Sequence, residues 1–124
     1  MKLYQYPNCS TCRKAIKFLQ AKGIEFESID ITKTPPSLDE LKFMLVQLQQ
    51  QQPQLKQGQE RNKLFNTSGV QYRELDMKTR LPDMTDDEAL TLLSQNGKLI
   101  KRPFLVTNDF GLIGFKEDVW QTKF

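Results

Sequence analysis

The first thirty residues change hydrophobic period twice, and that double change constrains the fold more than any other stretch of the chain. Leu3-Tyr4-Gln5-Tyr6 is an apolar and aromatic run of strand type. It gives way to Arg13-Lys14-Ala15-Ile16-Lys17-Phe18-Leu19-Gln20, where Ala15, Ile16 and Leu19 recur at helical spacing. Lys22-Gly23 is a helix stop, with glycine suited to the left-handed position. Glu25-Phe26-Glu27-Ser28-Ile29 then alternates as a half-buried strand does. Residues 2–29 therefore predict one βαβ unit with parallel strands and a right-handed crossover.

Cys9-Ser10-Thr11-Cys12 falls at the junction of that strand and helix, with the helix starting near the second cysteine. A cysteine there lies over unpaired helix N–H groups and the positive end of the helix dipole. Both favour thiolate over thiol, and the thiolate is the nucleophile. Two cysteines three residues apart at a helix start have Cα atoms about 5 to 6 Å apart, within disulfide range. Cys9, in the loop, is expected to be the more exposed of the two and to attack; Cys12, a turn inside, is expected to be the more buried and to resolve. The N–H groups of Ser10 and Thr11 are candidates to hold the thiolate or an oxyanion. Arg13 is a candidate positive charge beside Cys9.

Composition narrows the chemistry further. The chain has 124 residues, enough for one domain and little more. No apolar run approaches the roughly 20 residues that cross a bilayer. Met1-Lys2-Leu3-Tyr4 leads straight into the first strand, so no signal peptide is expected and the cytoplasm is the expected location. In that reducing compartment a cysteine pair reads as redox-active rather than as a permanent staple. With two cysteines and no histidine the chain falls short of the four ligands of a structural zinc site, and no metal is expected. The same lack of histidine removes Cys-His dyads, Ser-His-Asp triads and a histidine base. The formal charge of +3 makes no case for nucleic acid and suggests only a mild preference for anions or an acidic partner.

Thr34-Pro35-Pro36-Ser37 ends the βαβ pattern and opens a helical middle section. Ser37-Leu38-Asp39-Glu40 and Thr85-Asp86-Asp87-Glu88 are capping boxes. Leu38, Leu41, Leu45 and Leu48 form a stripe behind the first, and Leu90, Leu92 and Leu93 follow the second. Gln49 to Gln59 is glutamine-rich, broken by Pro53 and Gly58, and reads as a frayed helix end and solvated loop. Asn66-Thr67-Ser68-Gly69 is a turn between short helices, and Asn96-Gly97 stops the last helix. Phe104-Leu105-Val106 and Gly111-Leu112-Ile113-Gly114 predict an antiparallel hairpin, closed by a short helix over 117–121 that carries the only tryptophan.

The expected architecture is α/β: βαβ then ββα, a four-stranded mixed sheet of thioredoxin type with a helical block between its halves. It forms one domain over 1–124, with 1–30 and 99–124 building the sheet layer and 35–97 the inserted helices. In such a sheet a cis-proline faces the Cys-x-x-Cys. Pro103 is placed to be it, and Arg102 beside it can project a guanidinium toward the same site.

These motifs together resemble the arsenate reductase family of thioredoxin-like proteins. Four segments carry the likeness, in family order: Tyr6-Pro7-Asn8-Cys9-Ser10-Thr11-Cys12-Arg13-Lys14-Ala15, Pro35-Pro36-Ser37, Phe65-Asn66-Thr67-Ser68-Gly69 and Ile100-Lys101-Arg102-Pro103-Phe104. The resemblance covers essentially the whole chain. It implies that Cys9 is the attacking cysteine, Arg102 an oxyanion-binding arginine and Pro103 the cis-proline. It implies a thiol or disulfide substrate or a small oxyanion, with glutathione or thioredoxin as electron donor and no bound cofactor. The chain also departs from the reductases. Gln5 stands where they carry histidine, Ser68 or a neighbour where they carry a second arginine, and Phe115-Lys116 where they carry a third. Each charge-assisted hydrogen bond contributes on the order of 1.5 to 3 kcal/mol, so weak arsenate binding is expected. Cys12 is similar instead to the second cysteine of the Spx regulators and small reductase-like members. The alternative role is therefore a redox-switched regulator that binds the RNA polymerase alpha subunit.

Overall fold

The computed structural model describes residues 1–56 and 58–124. In chain order the elements are β1 (Lys2–Gln5), α1 (Ser10–Ala21), β2 (Glu27–Asp30) and α2 (Leu38–Gln51). There follow α3 (Gln59–Asn62), α4 (Val70–Glu74), α5 (Met77–Arg80) and α6 (Asp86–Gln95), then β3 (Phe104–Val106), β4 (Gly111–Ile113) and α7 (Glu117–Gln121). The strands form one sheet in the order β2-β1-β3-β4, with β1 and β2 parallel and the other pairs antiparallel. This is the expected βαβ then ββα arrangement with helices between the two halves. One boundary differs. The first helix begins at Ser10, directly after Cys9, because the Cys9 side chain itself caps it.

Register explains how the sheet holds two layers apart. Leu3 pairs with Leu105 and Leu105 with Leu112, so these three project from one face. There they are buried with Ala15, Phe18 and Leu19 of α1 and Trp120 of α7. Tyr4 pairs with Phe104 and Phe104 with Ile113, and this row faces the other way. It packs on Leu41, Met44, Leu48, Leu90 and Leu93 of the helical block. Full burial of each such side chain contributes about 1.5 to 3 kcal/mol, which is what fastens both layers to a sheet of very short strands.

Both capping boxes form as expected, and the first does additional work. Glu40 accepts from the Ser37 N–H at 3.0 Å and from the Tyr4 hydroxyl at 2.7 Å, and pairs with Lys2 at 3.5 Å. One carboxylate thus caps the start of α2 and ties it to β1. The glutamine-rich segment begins as the exposed end of α2, as expected, but Gln51 and the preceding Gln47 also reach the sheet. Gln51 donates to the Gly111 carbonyl at 2.9 Å, and Gln47 accepts from the Gly111 N–H at 3.3 Å. These two amides, one turn apart, occupy backbone groups of edge strand β4 that would otherwise be open to pairing. Position 57 of that segment lies outside the described residues.

Gly97 is required for a close approach. A Cβ there would lie 1.7 Å from the Ile31 carbonyl oxygen, so two backbone segments would have to part. Gly97→Ala is expected to cost about 2 to 3 kcal/mol, as overpacked sites do, read as a lowered urea midpoint with unchanged slope. Among the described residues no helix is long and apolar enough to cross a membrane.

Candidate functional site

The site is built where α1 starts. Cys9 has extended backbone, φ −92° and ψ 115°, and its sulfur accepts the Cys12 N–H at 3.3 Å. The turn before it is closed by the Cys9 N–H, which donates to the Tyr6 carbonyl at 3.0 Å. Cys9 is half-buried, Cys12 is fully buried, and both are free thiols. Their side chains are within hydrogen-bonding reach of each other.

That arrangement divides the two thiols electrostatically. Burial by itself would push the Cys9 thiol up. The hydrogen bond from the Cys12 side chain, the Cys12 N–H, the Arg102 charge and the Thr11 N–H together outweigh it, so the net shift is down. Cys12 moves the other way, pushed up to about 12 by burial first, then by its hydrogen bond to Cys9 and the Cys9 charge. Cys9 is therefore the more acidic of the two thiols, and Cys12 the one that holds its proton more tightly.

The remaining residues come from the far end of the chain. The Arg102–Pro103 peptide is cis, as expected, and Pro103 is buried. Lys101 donates its N–H to the Leu64 carbonyl at 2.8 Å, and Asn66 donates to Leu99 at 2.7 Å. Those bonds, with the bridge between Phe65 and Ile100, carry Asn66 and Lys101 to the thiol. The result is a cleft of about 310 Å³ whose walls include Cys9, Thr11, Asn66, Lys101, Arg102 and Lys116.

Cys9, Thr11 and Arg102 are brought together as the sequence suggested. Arg102 lies with its guanidinium 5.0 Å from the Tyr6 ring centroid. Its Nη1 is buried without a hydrogen-bond partner among the described residues. Two other candidates are placed differently. Arg13 donates to the Pro7 carbonyl at 3.0 Å, so it braces the loop before Cys9, and the guanidinium that acts on the sulfur is Arg102. Ser10 is the exposed first residue of α1, and the N–H groups that reach the sulfur belong to Thr11 and Cys12. The second difference follows from the helix starting at once after Cys9, which directs the N–H groups of its second and third residues back at the capping atom.

Asn66, Lys101 and Lys116 were not among the residues singled out as site candidates. Lys101 was adjacent to the Arg-Pro motif, but only the pairing of 64–66 with 99–101 shows that it faces the cleft. Removing the Arg102 charge has a direct readout. Arg102→Ala is expected to slow alkylation of Cys9 at pH 6 by roughly three- to tenfold, with part of the rate restored in Arg102→Lys. Iodoacetamide labelling followed by mass spectrometry, with rates taken across pH, measures it. An unchanged pH profile would remove Arg102 from the thiolate's environment.

Comparison with known proteins agrees with this geometry. A protein of Bacillus subtilis (strain 168), the uncharacterized protein YusI, is 44% identical over 95% of this chain and 92% of its own length. The regulatory protein MgsR of the same organism is 30% identical over 90% of this chain and 80% of its own. The crystal structure of an ArsC family related protein from Bacteroides fragilis superposes with a TM-score of 0.83. It is 42% identical and matches 98% of this chain and 94% of that one. The fold is therefore the thioredoxin-like fold with its inserted helices. The family model described as the ArsC family matches residues 4–123, and with the cysteine loop and Arg102-Pro103 placed as found, this chain belongs to the ArsC family.

Proposed function

We propose that the protein is a thiol-disulfide oxidoreductase in which Cys9 is the nucleophile and Cys12 the resolving thiol. The observation that carries this is the Cys9 sulfur held on the Cys12 N–H beside a buried second thiol, with Cys9 shifted down and Cys12 shifted up. Cys9 thiolate attacks one sulfur of a disulfide, forming a mixed disulfide and expelling the other half as a thiolate that takes a proton from water. Cys12 loses its proton and attacks the Cys9 sulfur, closing Cys9–Cys12 and releasing the second half as a thiol. The substrate disulfide gains two electrons, and the cysteine pair loses them. A thiol donor such as glutathione or thioredoxin then returns the pair to the dithiol.

Arsenate suits the cleft less well. Arg102 is its one guanidinium among the described residues; Lys101 and Lys116 supply point charges without the planar fork that grips an oxyanion. The test sets pre-reduced protein against hydroxyethyl disulfide and, separately, arsenate, with a glutathione or thioredoxin reducing system. Turnover of the disulfide at least about tenfold faster than of arsenate is the expected result, since each lost charged hydrogen bond costs on the order of 1.5 to 3 kcal/mol. No turnover on the disulfide would overturn the assignment.

A second role is favoured by the likeness to a relative named as a regulator. In it the Cys9–Cys12 disulfide alters a surface that contacts the RNA polymerase alpha subunit. Pulldown with that subunit's C-terminal domain, comparing oxidised and reduced protein, separates the two. Redox-dependent capture without turnover would favour the regulator.

A further inference from the structure

Three clefts meet beside Cys9, and lysines line the junction. The cleft that holds Cys9 shares Lys101, Gly114 and Lys116 with a groove of about 270 Å³ that adds Lys63 and the amides of Gln51, Gln52 and Gln54. A third hollow of about 350 Å³ shares Lys63 and Lys101 and adds Asn62 and Thr67. Lys101 therefore stands where all three join. Its position is set by the backbone: a Cβ on Gly114 would lie 3.1 Å from Lys101 Cε and 3.6 Å from Nζ, so the side chain lies along that glycine. Gly114, at φ +71°, is itself held by its N–H to the Pro103 carbonyl at 2.8 Å.

Lys101 lies close enough to Lys63 and Lys116 to feel both charges. Partial burial first, then the charges of Lys63 and Lys116, pull the Lys101 pKa below the ordinary lysine value. No carboxylate among the described residues answers them, since the ion pairs there are Lys2 with Glu40 and Arg61 with Asp86. Like charges gathered without a counter-ion are unfavourable in the empty protein. An anion in the groove removes that cost, and the side-chain amides of Gln52 and Gln54 along it are further donors. The unpartnered Nη1 of Arg102 points to the same unfilled need for acceptors at the thiol end.

We propose that the groove running from Cys9 across Lys101 and Lys116 to Lys63 is a specificity subsite for disulfides whose non-sulfur portion carries carboxylates. This rests on the oxidoreductase assignment above. The half of the substrate seated on the lysines remains on Cys9 as the mixed disulfide. The other half leaves as a thiolate and takes a proton from solvent. Attack by Cys12 then frees the anionic half as a thiol. A small dicarboxylate disulfide and an acidic cysteine peptide present the same chemistry to the groove.

Pre-reduced protein is mixed with 3,3′-dithiodipropionate, neutral hydroxyethyl disulfide or cationic cystamine, and loss of Cys9 thiol is followed by quenching with an alkylating agent. At low ionic strength the order expected is anionic, then neutral, then cationic, with about tenfold or more between the extremes. That span shrinks several-fold near 1 M salt. Lys63→Gln is expected to lower the anionic-to-neutral rate ratio about threefold, and Lys63→Glu to push it further down. A disulfide-linked peptide with glutamates beside its cysteine, set against its glutamine counterpart, forms the last arm. Preference for the glutamate peptide supports the subsite with a protein as its source; preference confined to dithiodipropionate supports it with a small molecule. Equal rates for all charges at low salt would overturn the subsite while leaving the oxidoreductase intact. Reaction with none of the disulfides would overturn the oxidoreductase itself.

Discussion

Cys9→Ser is expected to reduce disulfide turnover to the uncatalysed background, whereas Cys12→Ser completes the first attack and stops there. A hydroxyl in place of the Cys9 sulfur cannot be an anion at neutral pH, so the amides of Thr11 and Cys12 and the Arg102 charge have nothing to stabilise. In Cys12→Ser the attacking sulfur survives, and one equivalent of substrate thiol is retained on the protein, visible by intact mass. Cys12 in the resting protein is pushed up to about 12, first by burial and then by its hydrogen bond to Cys9 and the Cys9 charge; the last two depend on a charged Cys9. Those two causes vanish once Cys9 is in a mixed disulfide, so Cys12 becomes easier to deprotonate at the moment it is needed. Equal activity in Cys9→Ser and the parent protein would refute this order of events.

The same pair sets a pH dependence of stability for the reduced protein. Cys9 is an acid whose pKa is lowered on folding, so its contribution is present above the ordinary thiol pKa and is lost as pH falls through the lowered value. Cys12 has its pKa raised, so the fold loses stability as pH climbs from the ordinary thiol value toward about 12. Oxidising the pair removes both dependences, which makes the comparison of oxidised and reduced melting curves across pH a direct check.

Trp120→Ala is expected to cost about 3 to 5 kcal/mol of unfolding free energy, a large share of the 5 to 15 kcal/mol of an ordinary domain. The indole is buried and meets Phe115 and Phe18 edge-on at 5.0 and 6.0 Å between ring centroids. It joins Leu3, Leu105 and Leu112 of the sheet to α1, so its loss opens a cavity in the smaller of the two core clusters. Its Nε1 donates to the Gly114 carbonyl at 3.1 Å. Trp120→Phe keeps most of the apolar volume and loses that bond, for a cost nearer about 1 kcal/mol for the bond itself. Urea midpoints of the two variants separate packing from hydrogen bonding. Because Gly114 supports Lys101 at the thiol cleft, the alanine variant should also slow Cys9 chemistry even where it is fully folded.

The parts of this protein written in local sequence were legible early. Period changes marked β1, α1 and β2, since side-chain direction alternates on a strand and repeats every 3.6 residues on a helix. Ser37 with Glu40 and Thr85 with Glu88 announced two helix starts, because a cap is satisfied within four residues. The cysteine pair announced its placement at the strand-to-helix junction through spacing and position, and Gly23 announced the left-handed stop it makes at φ +70°.

What local sequence could not disclose were groups that meet only across the fold. Gln51 read as part of a solvated segment, and only β4 laid beside α2 shows that it and Gln47 hold the Gly111 backbone. Arg13 and Arg102 were both near candidates for the Cys9 charge, and chain proximity favoured the one that the structure turns to Pro7. Lys63, Lys101 and Lys116 are separated by 38 and 15 positions, yet they share a groove. Turns, caps and periodicity are short-range properties of a chain, so residue order alone determined the main elements and the seat of Cys9 at the start of α1. Electrostatic environments sum over everything within a few ångströms in space, and only tertiary packing decided which cations surround that sulfur and which of its neighbours have no partner.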